Sequence, residues 1–233
     1  MTWEHLFESL KRGYYTTLLM EATNFFVITV YAKKRIEITI YLFLLALTSL
    51  IQTLFVQYVD LTFNNLALLN RLTNISIYLY LAFEITFCIC FMQKYIQPKS
   101  FKRVLSLINI IFVIAIFYYL ISCPTSRNIV SIIGIIEGFM IIIPCLNYFY
   151  TLFKHPLNKG ILHSVEFWAI SGMVLLFSLI TPFFMALDYL KRNYWLLEKK
   201  LYVINNLAYS LMFTMFTIGI LLDKTQVSET KNN

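Results

Sequence analysis

Seven stretches of this chain are each long and apolar enough to cross a lipid bilayer, and that constraint governs what it can fold into. A hydrocarbon core of roughly 30 Å takes about 20 residues of helix. Runs of that kind lie at about 14–32, 37–57, 72–93, 104–122, 129–152, 165–187 and 201–222. The first is the least apolar, because YYTTLLMEATNFFVITVYA carries Glu21 and Asn24. Backbone that meets lipid must satisfy its own hydrogen bonds, which leaves helices or a closed barrel. None of the runs alternates apolar and polar residues, so helices are expected. The reading is an all-α integral membrane protein, a seven-helix bundle forming one domain over residues 1–222. The polar tail DKTQVSETKNN, 223–233, is expected to be disordered.

Composition agrees. Hydrophobic residues make up 59% of the chain and charged residues 13%, where soluble domains carry about a quarter charged. A water-soluble fold of this size could not bury that much apolar surface. The opening MTWEHLFESLKRG mixes both charge signs and has no apolar core, so it does not read as a cleavable signal peptide.

The net charge of +7 belongs to span flanks and gives no reason to expect nucleic acid. Short polar segments separate the spans: KKR at 33–35, QPKSFKR at 97–103, CPTSR at 123–127 and KHPLNKG at 154–160. Eleven of the 19 Lys and Arg fall on the side that holds loops one, three and five and the C-terminus. By the positive-inside rule this places the C-terminus in the cytoplasm and the N-terminus outside a cytoplasmic membrane. Loop six, DYLKRNYWLLEKK, weakens the contrast. The basic segment QKYIQPKSFKR, 93–103, is a candidate dock for anionic lipid or an acidic partner, although ordinary flanking charge accounts for it equally.

Against this apolar background the acidic residues stand out. Glu21, Glu84 and Glu137 lie well inside spans one, three and five, and no Lys or Arg lies deep in any span. An acid at the centre of a membrane helix costs about 2.5–3.5 kcal/mol on insertion scales. Such a carboxyl either carries its proton or shares hydrogen bonds with amides and hydroxyls. Tyr80 and Glu84 are four apart and share a helix face. Glu137, Pro144 and Tyr148 fall on one stripe at 3.6 residues per turn, with Asn147 at its edge. Asn205 and Tyr209 share a face of the last span. The expectation is a polar cluster inside the bundle: Glu137 with Glu84, Tyr148 and Glu21 at its centre, and Tyr80, Asn205 and Tyr209 as further candidates. It would serve as interhelical glue or as a ligand or proton site. Pro144 and Pro182 are expected to kink their helices.

Other chemistry finds little support. Cys88 and Cys90 point about 200° apart on a helix, and with Cys123 and Cys145 they read as small buried hydrophobes. His155 and His163 lack a third ligand, so no metal site is expected. Trp3, Trp168 and Trp195 read as interfacial belt residues. Catalytic signatures such as His-Glu-x-x-His and Gly-x-Ser-x-Gly are absent, and the chain reads as a non-enzyme with no metal or organic cofactor. Residues 201–222 hold no lysine for retinal, and the Asp-Arg-Tyr and Asn-Pro-x-x-Tyr signatures of G-protein-coupled receptors are missing.

The runs NISIYLYLAFEITFCICF (74–91), VEFWAISGMVLLFSLITPFF (165–184) and INNLAYSLMFTMFTIGI (204–220) resemble a largely uncharacterised group of small bacterial seven-helix membrane proteins. The shared pattern falls on Asn74, Tyr80 and Glu84, on Phe167 and Trp168, and on Asn206 and Tyr209, and the chain departs from it at Ala169. Members of that group are often encoded beside two-component signalling genes. The resemblance implies no known activity and tilts the reading toward signalling. The loops are too short to hold a catalytic or kinase module, so the expectation is a receptor-like or accessory subunit that works through a membrane or cytoplasmic signalling protein and takes a small-molecule ligand. The intramembrane glutamates keep a second reading open, a small transporter or proton-coupled carrier.

Overall fold

In the computed structural model, residues 22–23, 26–27, 44–52, 54–55, 66–122, 128–155 and 160–229 are described. Five helices dominate them: α1 (Leu66–Met92), α2 (Lys99–Ser122), α3 (Asn128–Lys154), α4 (Val165–Asn193) and α5 (Trp195–Glu229). Each is long and apolar enough to cross a membrane. A short 3-10 turn, Ile161–His163, leads into α4, and there is no strand among the described residues. The spans expected at 14–32 and 37–57 fall largely outside the described residues. The described parts of them, 22–23, 26–27, 44–52 and 54–55, are helical.

Helix α2 lies against α1, α1 against α3, α3 against α4 and α4 against α5. Each helix turns a stripe inward at the helical period. On α1 that stripe includes Asn74, Tyr78, Leu81, Glu84, Ile85, Cys88 and Met92. On α2 it narrows to Leu105, Asn109, Phe112 and Ile116, four residues spaced by three and four.

Glycine sets the tightest contacts. A Cβ added at Gly172 of α4 would stand 3.2 Å from the Met212 carbonyl oxygen of α5. One at Gly219 of α5 would stand 2.8 Å from the Trp168 Cβ of α4. One at Gly138 of α3 would run into the Thr181 hydroxyl of α4. Membrane helices lack a hydrophobic drive toward each other and gain packing by close approach at small residues.

Helix ends follow local chemistry more than hydropathy. Ser164 caps α4: its hydroxyl accepts the Phe167 N–H at 3.3 Å and donates to a Glu166 carboxylate oxygen at 2.6 Å. An acid in the first turn also suits the helix dipole. The Trp168 indole N–H donates to the Leu162 carbonyl at 2.7 Å and ties the helix to the turn before it. Loop six corrects the sequence reading. Its residues are helical except Tyr194, whose N–H donates back to the Leu190 carbonyl at 2.7 Å. The segment has no glycine or proline and is rich in Leu and Lys, so nothing in it stops a helix where the apolar run stops. For the same reason α5 begins before residue 201 and its backbone stays helical to Glu229, within the tail expected from 223. Pro144 and Pro182 both lie inside continuous helices. Beside Pro182, the Thr181 hydroxyl donates to the Phe177 carbonyl at 2.6 Å.

Candidate functional site

Three helices bring a polar cluster together in the interior. Glu84 on α1 is 1% exposed and Glu137 on α3 is 2% exposed, and the two lie within electrostatic reach of each other. Tyr209 reaches across from α5, and its hydroxyl sits 3.1 Å from both Glu84 carboxyl oxygens. The hydroxyls of Tyr209 and Tyr80 are also hydrogen-bonded. Cys88, one turn beyond Glu84, senses both carboxyls and Cys145. The Cys145 thiol stands 3.9 Å from the Met92 sulfur.

The local sequence explains the convergence. Tyr80, Glu84 and Cys88 recur every four residues, so α1 offers them along one face. Glu137 sits one residue before Gly138, which packs against Thr181 of α4. A membrane helix places a polar group where neighbouring helices exclude lipid. Tyrosine suits the remaining role, because its ring spans an apolar gap and its hydroxyl both donates and accepts.

The two carboxyls are not equivalent. Glu84 is bridged by Tyr209 through both oxygens. Glu137 has a buried oxygen, Oε1, with no hydrogen-bond partner. Leaving a buried polar atom unpaired costs about 1–3 kcal/mol, so a native bundle keeps one only where something else offsets it.

The other sequence candidates distribute as follows. Tyr148 is buried on the same stripe of α3 as Glu137, but eleven residues on, about 16 Å along the axis at 1.5 Å per residue. There its ring packs edge-on against Tyr95 at 5.9 Å and Phe149 at 5.4 Å. Asn205 is half-buried one turn before Tyr209 and makes none of the cluster's hydrogen bonds. Asn147 keeps a buried side-chain oxygen, Oδ1, without a hydrogen-bond partner. Glu21 lies outside the described residues. The cluster therefore joins Glu84, Glu137, Tyr80 and Tyr209, and Tyr148 belongs to an aromatic layer nearer the membrane surface.

Cys88 packs in the hydrophobic core, as expected of a small buried hydrophobe, one turn from Glu84 on the same face. Among the described residues no group of His, Cys, Asp and Glu could hold a metal ion.

Beside the cluster lies a cavity of about 360 Å³ between the 44–55 segment and α1. Tyr80 forms part of its wall, with Gln52, Ile75, Leu79 and Phe83 among the others.

Compared with known proteins, the chain matches no family model, no curated protein and no solved structure.

Proposed function

We propose that this chain is a non-enzymatic, multi-pass subunit of a signalling system, whose input is read at the Glu84–Glu137 pair and whose output lies on a partner chain. The observation that carries the reading is the meeting of two buried carboxyls from α1 and α3 with Tyr209 from α5. Two like charges set close together in a lipid-walled interior repel strongly. Gain or loss of one proton, or a ligand's hydrogen bond to the pair, changes the charge at the point where three helices touch. Helix packing is discrete, so a local change of that kind biases the relative positions of whole helices.

The described connections support an output on another chain. Six residues, 93–98, join α1 to α2, and Tyr194 alone separates α4 from α5. Neither has room for a catalytic module. Lys99 and Arg103, exposed at the start of α2, offer positive charge to an acidic partner surface or to anionic lipid. The resemblance to seven-helix proteins encoded beside signalling genes points the same way. On this reading the chain makes seven spans in a cytoplasmic membrane, with its N-terminus outside and its C-terminus in the cytoplasm.

A carrier is the second reading, favoured by one feature. Pro144 lies two turns after Glu137 on the same buried stripe, inside α3. Proline leaves the Met140 carbonyl without its helical donor, and transporters place ion sites at such interruptions.

The test begins with the protein gently extracted from its own membranes and weighed intact by native mass spectrometry. A stoichiometric second chain is the expected result. Reconstituted alone into vesicles under an imposed pH gradient, the protein is expected to leave the gradient intact. A monomer that dissipates the gradient, and loses that activity in both Glu84→Gln and Glu137→Gln, would replace this reading with the carrier.

A further inference from the structure

The cavity beside Tyr80 has no role in the carboxyl chemistry itself, and its wall has a distinct character. Thr48, Ile51, Gln52 and Phe55 form one side, and Leu72, Ile75, Ser76, Leu79, Tyr80 and Phe83 form the other. No charged side chain is among its described lining residues. Two of its hydroxyls are already committed to their own helices. Thr48 donates to the Leu44 and Leu45 carbonyls at 2.9 and 3.0 Å, and Ser76 donates to the Thr73 carbonyl at 2.8 Å. Gln52 takes part in no hydrogen bond among the described residues, and its half-buried amide lines the cavity. The Tyr80 hydroxyl is the second polar handle, and it is bonded to Tyr209. The rim residues Ile51, Phe55 and Phe83 are exposed to the surroundings at 56%, 39% and 51%. In a membrane those side chains face hydrocarbon, so the cavity opens sideways into the bilayer.

We infer that this cavity binds a single-chain amphiphile drawn from the bilayer, with an uncharged hydroxyl- or carbonyl-bearing head and an apolar chain. The inference rests on the signalling reading, to which it adds the chemical class of the ligand. The volume lies within the range of small-molecule sites, about 300–1,000 Å³, which are mainly apolar with a few converging polar groups. An uncharged head matches the wall, because a charged one would lie unpaired at membrane depth. The Gln52 amide offers both a donor and an acceptor. The Tyr80 hydroxyl offers a contact that continues through Tyr209 to Glu84. A head bonded to Tyr80 competes for the hydroxyl that now meets Tyr209. Occupancy is thereby felt at the carboxyl pair without the ligand touching it.

A long-chain fatty alcohol with a diazirine in its chain is the probe, added to the full-length protein in phosphatidylcholine vesicles. Photolabelling is expected to saturate, to map to Ile51, Leu72, Leu79 and Phe83, and to be displaced by unlabelled alcohol. Ile75→Trp, which fills the cavity from its wall, is expected to abolish it. Tyr80→Phe is expected to weaken it by about three- to tenfold, as befits one hydrogen bond. The matching fatty acid, charged at neutral pH, is expected to compete poorly. Labelling that never saturates, and that falls equally on the outer face of α2, would overturn the inference and make the cavity ordinary lipid-filled space. Glu137→Gln separates this result from the signalling reading, since it removes one carboxyl and leaves the cavity wall intact. Saturable labelling that persists in that variant supports the ligand site even if the carboxyl pair proves silent.

Discussion

Helices α2 and α4 are both strongly apolar, yet they occupy opposite environments. The most apolar stretch of α2 has mean hydropathy 2.6 and is 22% buried, while that of α4 has 2.1 and is 50% buried. The more apolar helix is the more exposed one. In water that order would be perverse, but in a bilayer lipid is as apolar as leucine, and hydrophobicity alone draws no helix inward. What α4 has is Gly172 against the α5 backbone and Thr181 against Gly138 of α3. No glycine occurs in α2, which presents Leu107, Ile110, Ile111, Ile114, Tyr118 and Ile121 outward. Its inward link is a narrow seam, together with a hydrogen bond of 2.7 Å from the Gln93 amide to the Ser106 hydroxyl.

The largest effect is expected where α4 meets a backbone that cannot give way. Gly172→Leu drives a side chain at the Met212 carbonyl and should cost about 1–3 kcal/mol or more. Thermal unfolding followed by circular dichroism in mild detergent would show a lower midpoint or no folded protein. Gly138→Ala should destabilise through Thr181 alone. Adding Thr181→Ala should therefore recover much of the loss, and if it does not, the α3–α4 contact is set by something else.

Tyr209→Phe removes the bridge to Glu84. By the average and upper values for hydrogen bonds between membrane helices, the cost should be about 0.6–1.7 kcal/mol. The same melting measurement checks it, and Tyr209→Phe should also alter partner output.

Glu137→Leu tests function against fold. Because Glu137 has an unpartnered buried oxygen, its replacement by an apolar residue should leave stability within about 1 kcal/mol of the parent, or raise it. It should abolish the signalling response, read as partner output in reconstituted membranes. Full response from a well-folded Glu137→Leu protein would end the case for a carboxyl site.

The smallest effect belongs to the outer face of α2. Ile111→Ala and Ile121→Ala should each shift stability by less than about 0.5 kcal/mol. A markedly larger loss in native membranes, absent in the isolated chain, would mean that another protein covers that face.

The sequence made some of this legible. A buried stripe on α3 through Glu137, Pro144 and Tyr148 follows from helical periodicity, and all three are buried. Tyr80 with Glu84 follows from four-residue spacing. That stripe does not make one site, because periodicity gives a side chain's direction but says nothing about its depth, and Tyr148 lies three turns from Glu137. The link from Tyr209 to Glu84 joins residues 125 positions apart, which no local pattern encodes. Helix ends were missed for a different reason: hydropathy reports where lipid stops, and α4 and α5 continue past that point because DYLKRNYWLLEKK has no glycine or proline to halt them there.

The sequence alone determined that this chain is built of apolar helices, since a backbone in lipid has little alternative and the runs have the length to span it. It also determined that a few acids would be set among them at a cost that calls for a reason. Only the tertiary structure decided which acids meet, that Glu84 has a tyrosine and Glu137 an open oxygen, and that the most apolar of the long helices lies on the outside. Those outcomes depend on close approach at Gly138, Gly172 and Gly219, and on which distant side chains that approach brings within a few ångströms. In lipid, where apolar residues find no preference for one another, helix order is set by that fit.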